Sequence, residues 1–277
     1  MLNTGKSESN LIESELGKLY AIWLREFKVF LREKSRLIAS TFTPLLWLFV
    51  VGAGFGSTAG NLDTINFAGG NSSGISGIDY QKFIFPGIVG MSVIFSSVFF
   101  GSYVIWARKF DFLKSVMVAP ISRTTIFVGK AFGGMTNSLL QAAILLVIGL
   151  LIGVNYNTIS ILSIIAIILL LSFGLTSLGL ILGSFIESLE GFQLIVSFVV
   201  FPLYFLSGAL FPLKNLPFWL SILTTLDPAT YGVDALRSAM LGITGKYPFG
   251  TDIAILFLSV ISIGVVGIFS FRRMKAI

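Results

Sequence analysis

The sequence contains no cysteine and no histidine among its 277 residues. Without cysteine there is no disulfide framework, no thiolate chemistry and no cysteine-bound metal. Without histidine, the commonest metal ligand and the side chain most often used as a general base are also missing. Charged residues make up only 12% of the chain and hydrophobic residues 55%, so the charged share is roughly half of that in soluble domains. This composition excludes an ordinary soluble enzyme and a disordered chain, and it predicts an integral membrane protein.

Six long apolar runs have the length that a helix needs to cross a bilayer, about 20 residues. Backbone groups find no water inside lipid, so the runs are predicted to be helices and the fold to be an all-α membrane protein. One run is long enough for two spans and is divided by a polar turn at 153–158. The six predicted transmembrane spans are 37–56, 83–107, 131–152, 159–186, 192–212 and 253–271.

Two further helical segments are predicted outside these spans. Residues 1–36 form a tail in which apolar residues recur every three or four positions between Leu16 and Lys34, with basic residues on the other face. That pattern predicts an N-terminal amphipathic interfacial helix on the inner leaflet, and it is also compatible with docking on another protein. The run Asn215–Leu226 is too short to span, so it predicts a short re-entrant or interfacial helix within an outer segment, 212–242. A surface loop is the alternative for that run.

The basic residues predict the orientation of the chain. Lys and Arg concentrate in cytoplasmic flanks of membrane spans, and an inside N-terminus places 15 of the 19 basic residues on the cytoplasmic side. We therefore expect a multi-pass protein of the cell membrane, plasma or inner, with both termini cytoplasmic and residues 272–277 as a cytoplasmic tail. Orientation also explains the net charge of +6, and no nucleic-acid partner is predicted.

The sequence shows neither the charged residues of ion-coupled transport within the predicted spans nor a nucleotide-binding motif. Transport driven by ions usually places an ionisable side chain at membrane depth, and none of the six spans contains one. Gly5-Lys6-Ser7 resembles the end of a phosphate-binding loop, but the earlier glycine of that motif is missing. The most polar pair in a span is Asn137 and Gln141, one helical turn apart, which predicts either an interhelical hydrogen bond or part of a substrate path.

Two motifs carry a family resemblance. The loop after the second span reads Arg108-Lys109-Phe110-Asp111-Phe112-Leu113-Lys114 and continues to Pro120 and Arg123. A second motif runs from Leu206 through Phe211-Pro212 to Asp227-Pro228 and Arg237. In order and position they resemble the permease subunits of type-2 ABC transporters, which export drugs, polysaccharides and lipids, and the resemblance covers nearly the whole chain. The charge pattern at Lys109 and Asp111 is exchanged relative to the family's usual one.

The resemblance implies a half-transporter. Two copies, or this chain and a homologue, would form the membrane pathway, and two separate ATPase subunits would bind ATP and Mg from the cytoplasm. The chain itself would have no catalytic residue, metal or cofactor and would not be an enzyme alone. The loop 108–123 would couple to the ATPase through Arg108, Lys109, Phe110, Asp111, Phe112, Leu113, Lys114, Pro120 and Arg123. An ordinary anchoring loop is the alternative for that segment.

The resemblance also implies an outer gate in the segment 212–242 and its flank. Its members would be Phe211, Pro212, Pro217, Trp219, Asp227, Pro228, Tyr231, Asp234 and Arg237. Asp234 and Arg237 stand three apart on a predicted helix, which predicts an exposed ion pair. Two other functions remain open from the sequence: an ion-coupled transporter or channel, and a membrane assembly factor that does not transport.

Overall fold

The computed structural model of the chain describes residues 4–59, 77–110, 121–154, 156, 158–211, 213, 216–242 and 245–273. All regular structure in these residues is helical, which confirms the predicted all-α class. The helices are α1 Thr4–Arg32, α2 Lys34–Ala59, α3 Gly77–Phe99, α4 Ser102–Lys109, α5 Arg123–Leu151, α6 Thr158–Phe185, α7 Leu189–Leu206, α8 Phe218–Leu226, α9 Pro228–Leu241 and α10 Phe249–Arg273.

Five helical stretches are long and apolar enough to cross a membrane. They are Gln81–Lys109, Arg123–Leu151, Ile159–Phe185, Leu189–Leu206 and Phe249–Arg273. The first predicted span lies in α2, where the structure gives a shorter apolar stretch, Ser40–Gly52. The predicted break after the third span is present as well: α5 ends at Leu151, and Gly153 adopts a φ of 85°, which favours glycine.

The centre of the bundle is formed by α3 and α6. α3 packs against α2, α5, α6, α7 and α9, and α6 packs against α3, α5, α9 and α10. The side chains of α3 are mostly buried, whereas α7 and α10 keep wide apolar faces exposed, with Phe198 and Phe257 among them. Such faces suit contact with lipid or with a second membrane subunit.

The second span bends between α3 and α4, where Phe100 and Gly101 interrupt the regular helix. The bend lies against α6, and the backbones touch there. A Cβ added at Gly101 would overlap the backbone of Gly179, and one added at Gly179 would overlap the carbonyl of Val98. The small residues spaced four apart on α6, Gly179 and Gly183, therefore serve a close helix crossing.

The fifth span ends earlier than predicted. The sequence predicts helix to residue 212, but α7 ends at Leu206, because Gly208 turns the chain with a φ of 70°. The guanidinium of the buried Arg237 donates to the Gly208 carbonyl at 2.7 Å, which holds the turn in place. The apolar character of residues 207–209 thus reflects burial of a turn rather than another helical turn of the span.

The outer segment contains two helices. α8 is short and exposes large apolar side chains, with Phe218 83% and Leu226 75% exposed. α9 is buried along most of its length between α3, α6 and α10. Asp227 caps α9 by accepting from the Ala229 backbone N–H, Pro228 occupies its first turn, and Gly242 ends it in the left-handed conformation.

The close crossing at the bend generates a prediction. We expect Gly179→Ala to lower the free energy of unfolding by about 1–3 kcal/mol, since the added methyl group meets backbone that cannot move without shifting α3. Thermal unfolding of the purified chain measures the change. Gly264→Ala on α10 is the matched control, because its Cβ would meet only the Phe173 ring at 3.8 Å. Equal melting temperatures for the two variants would contradict the crossing.

Candidate functional site

A buried ion pair fastens the N-terminal helix to the bundle. Lys130 on α5 donates to the Glu26 carboxylate on α1 at 2.9 Å, and both side chains are less than 5% exposed. Arg25 donates to the same carboxylate oxygen at 3.0 Å from a more exposed position. A charge without water is costly unless it is paired, so each partner fixes the other. The predicted interfacial helix is therefore docked on the chain's own third span.

Other polar contacts extend this docking along α1. They are the bonds from Trp23 to the Thr136 hydroxyl at 2.9 Å, from Thr125 to the Glu15 carboxylate at 2.6 Å and from Tyr103 to the Glu33 carboxylate at 2.7 Å. The first two join α1 to α5, and the third joins Glu33, the residue after α1, to α4, which leads into the predicted coupling loop. The face that sequence periodicity assigns to the bilayer thus also binds protein.

Two glycines of α5 make the docking possible. A Cβ at Gly129 would lie 2.9 Å from the Ile22 side chain, and one at Gly133 would lie 2.7 Å from the Cβ of Glu26. These separations are shorter than van der Waals contact, so larger residues would push α1 away and separate the ion pair.

Both ends of the predicted coupling loop are fixed to other helices. At the first end, Arg108 donates to the carbonyls of Ser184 at 3.1 Å and Ile186 at 3.3 Å, which are unpaired at the end of α6. At the second end, Arg123 donates to the Arg272 carbonyl at 2.8 Å, at the end of α10. The loop is consequently attached to the ends of two membrane-spanning helices.

The two described residues that follow Arg108, Lys109 and Phe110, are exposed. Phe110 is 68% exposed and stacks on Trp106 with ring centroids 5.3 Å apart, and Lys109 lies 6.0 Å from the Trp106 ring. Five of the predicted coupling residues lie outside the described part of the chain: Asp111, Phe112, Leu113, Lys114 and Pro120. A cleft of about 330 Å³ lies between the end of α4 and the turn after α6, where Glu187 and Glu190 are exposed.

The predicted ion pair of the outer segment is wrong in its exposure and in its partners. Asp234 and Arg237 are 1% and 4% exposed. Asp234 accepts from the backbone N–H of Lys246 at 2.8 Å, whereas Arg237 bonds to Gly208 and lies over the Phe83 ring at 4.6 Å. Burial lowers the pKa of Arg237 to about 10, and the charge of Asp234 opposes this shift. The two residues tie α9 to separate turns.

Asp227 is also buried, at the junction of α8 and α9. Burial raises the pKa of Asp227 to about 7, although hydrogen bonds from the Ala229 N–H and the Thr230 hydroxyl favour its charged form. Its role in the structure is that of a helix cap.

The other predicted gate residues are divided between surface and core. Tyr231 donates to the Thr225 carbonyl at 2.8 Å, which holds α8 against α9. Trp219 is 63% exposed on α8, Pro217 is exposed as well, Phe211 is half-buried, and Pro212 lies outside the described residues.

Asn137 and Gln141 line a cavity of about 350 Å³ inside the chain, between α2, α3 and α5. The Gln141 amide donates to the Ser40 hydroxyl at 2.5 Å, so the predicted interhelical hydrogen bond is present. The cavity is lined by Phe30, Ser40, Thr43, Pro44, Met91, Ser92, Phe95, Ser96, Phe99, Phe100, Asn137 and Gln141.

Sequence reasoning missed three buried ionisable residues. Glu26 and Lys130 lie 104 positions apart, and no local pattern indicates that they meet. Asp252 lies in the first turn of α10, just before the predicted sixth span, and is fully buried. Among the described residues, no group of three or more acidic side chains has the arrangement of a metal site.

The comparisons with known proteins agree on one class. A family model described as ABC-2 type transporter matches residues 17–241. The protein named transport permease ycf38 of Cyanophora paradoxa is 27% identical over 85% of this chain and 78% of its own length. Nodulation protein J of Neorhizobium galegae is 25% identical, over 86% and 87%. The inner membrane transport permease YadH of Escherichia coli K12 is 28% identical, over 88% and 90%.

The buried ion pair generates a prediction for stability. We expect Glu26→Gln to lower the free energy of unfolding by about 3–5 kcal/mol, because it leaves the Lys130 ammonium buried without a counter-charge. Lys130→Met should cost less, since Arg25 remains beside Glu26.

Thermal unfolding of the full chain in micelles measures both effects. The matched control is Lys18→Met, which removes a partly exposed pair with Glu15 and should cost about 1 kcal/mol or less. A melting temperature for Glu26→Gln equal to that of Lys18→Met would show that the buried pair does not hold α1.

Proposed function

Because the chain belongs to the ABC-2 type transporter family and is a multi-pass membrane transport permease, we propose that it is the membrane subunit of an ATP-driven exporter. In this proposal a separate ATPase chain binds and hydrolyses ATP with Mg, and two copies of each subunit form the complex. The second permease is either an identical copy or a homologue. The observation that carries the proposal is the family match over residues 17–241, which includes the predicted coupling loop.

The residues around the predicted coupling loop could bind an ATPase and pass its movement to the spanning helices. Phe110 and Lys109 are exposed at the start of the coupling loop, and Arg108 and Arg123 hold its two ends to α6 and α10. A force on the loop would therefore reach two spanning helices directly and α5 through the continuous chain. α1 would move with α5, because the Glu26–Lys130 pair and the Trp23 contact fasten it there.

Nucleotide binding would change the pathway only by preferring one arrangement of the spans, because a ligand shifts an equilibrium by its differential affinity. ATP binding would bring the two ATPases together, and the loops would pull the two span bundles against each other. At the other end, the residues that tie α9 to its neighbours would keep the outer gate closed until that movement. Asp234 and Arg237 are the chief of these.

An ion-coupled mechanism has less support. In the described part of the chain, the ionisable residues of the spanning helices lie near helix ends, as Lys130 and Asp252 do. Ion pathways place such groups within the membrane interior.

The orientation is tested with introduced cysteines, which the cysteine-free chain makes unambiguous. A membrane-impermeant maleimide applied to intact cells should label Ser73→Cys in the outer loop, residues 57–82, which joins the first two predicted spans on the outside in the predicted orientation. Ser115→Cys in the coupling loop should be labelled only after the cells are made permeable. Labelling of Ser115→Cys in intact cells would place the loop outside and contradict an ATPase contact from the cytoplasm.

The coupling loop is tested by replacing two of its apolar residues, Phe112 and Leu113. We expect the double variant Phe112→Asp, Leu113→Asp to lose co-purification with an ATPase encoded beside this chain, because two carboxylates would have to enter an apolar cleft. Phe218→Asp is the control, an equally severe change on the exposed helix α8 at the opposite end. Retention of the ATPase by the double variant, with ATP hydrolysis at the unaltered rate, would contradict the assignment.

A further inference from the structure

The cavity between α2, α3 and α5 is lined by both polar and apolar side chains. Its polar groups come from three helices, with one turn separating the two members of each pair on α3 and α5: Ser92 and Ser96, and Asn137 and Gln141. Its apolar surface includes the rings of Phe95 and Phe99, which stack with centroids 6.2 Å apart. A cavity lined by both kinds of side chain can bind a molecule that has a polar group and an apolar chain.

Three side-chain oxygens of residues that line the cavity have no hydrogen-bond partner: Oγ of Ser92, Oδ1 of Asn137 and Oε1 of Gln141. All three side chains are at least 95% buried. Buried polar atoms are nearly always bonded in folded proteins, and an unmade bond is a cost that the fold must carry. The neighbouring hydroxyls do not supply the missing donors, since the hydroxyls of Ser96 and Ser138 bond each other at 2.7 Å.

The absence of charged residues from the lining indicates which charge a bound molecule would carry. None of the residues lining the cavity is ionisable. A cation would bring hydrogen-bond donors, but it would lose its hydration without meeting a carboxylate. The cost of that desolvation exceeds the free energy gained from the hydrogen bonds. An anion would face unpaired oxygens. A neutral hydroxyl group supplies donors without either penalty.

We infer that this cavity binds an uncharged amphiphile, whose hydroxyl groups donate to the oxygens of Asn137, Gln141 and Ser92 and whose apolar chain lies along Phe95 and Phe99. The inference rests on the proposed function in one respect, since it names what enters the membrane through this subunit. The site lies within one chain, so binding does not require the ATPase or the second permease.

The test compares three probes with the same 18-carbon chain in nanodiscs of phosphatidylcholine, whose headgroup has no hydrogen-bond donor. Monooleoylglycerol is neutral and has two hydroxyls, methyl oleate has no donor, and oleylamine has a charged donor. We expect the full chain to bind monooleoylglycerol about ten times more tightly than either of the others, as one or two additional hydrogen bonds allow. Radiolabelled probes measure the affinity at equilibrium.

Substitutions locate the binding. Asn137→Leu, which conserves shape but removes the amide, should weaken monooleoylglycerol binding about three- to ten-fold and leave methyl oleate unchanged. Ser92→Ala should act in the same direction and removes only one atom, so it remains informative if the larger change disturbs folding. Gln193→Leu is the matched control, an amide removed from an exposed position on α7 outside the cavity.

Three results would overturn the inference. The first is equal binding of monooleoylglycerol and methyl oleate to the unaltered chain, and the second is tighter binding of oleylamine. The third is a loss of permease self-association in Asn137→Leu and Ser92→Ala with lipid affinity unchanged, which would mean that a second copy covers the cavity. The ATPase is absent from all these measurements, so failure here differs from failure of the proposed coupling, which co-purification tests.

Discussion

A carboxylate and an ammonium that water does not reach, those of Glu26 and Lys130, meet where the N-terminal helix crosses the third span. Neither charge is tolerable there alone. The pair consequently fixes the position of α1, and with it the line of contacts that includes Tyr103 before the coupling loop and Thr125 after it. The described contacts around the start of α5 and the end of α4 depend on this one crossing, which glycines of α5 keep close enough for the pair to form.

The two ends of the molecule use buried charge in similar ways. At the end that contains the start of α5, the ion pair joins two helices, and Arg108 bonds to the end of α6. At the end that contains α9, Asp234 and Arg237 each hold a backbone turn against that buried helix. The apolar spans between these ends are held together by close packing and by hydrogen bonds between helices, as from Gln141 to Ser40 and from Ser96 to Ser138, because lipid does not drive apolar helices together.

The helices could be predicted from sequence because their signal is local: about 20 apolar residues suffice for a span, and a polar turn with Gly153 suffices for a break. The features that were missed depend on contacts between distant residues. Gly101, where the regular helix of the second span is interrupted, packs against Gly179, and the turn at Gly208 after α7 bonds to Arg237, 29 positions later. Burial of Asp234 could not be predicted from the sequence either, since helical periodicity identifies a helix but not the helices that pack over it. The polar pair Asn137 and Gln141 was visible, whereas the cavity around it requires three helices.

We propose that the chain does not hydrolyse ATP itself and is moved by a separate ATPase that binds its coupling loop. Site-specific cross-linking tests this most directly, with a photoreactive side chain introduced at Val116 in living cells that contain both proteins. The account predicts a covalent product joining the chain to the ATPase subunit from Val116, and no such product from the same side chain at Ser73 in the outer loop. Absence of the product from Val116, in cells where this chain still exports its cargo, would contradict the account.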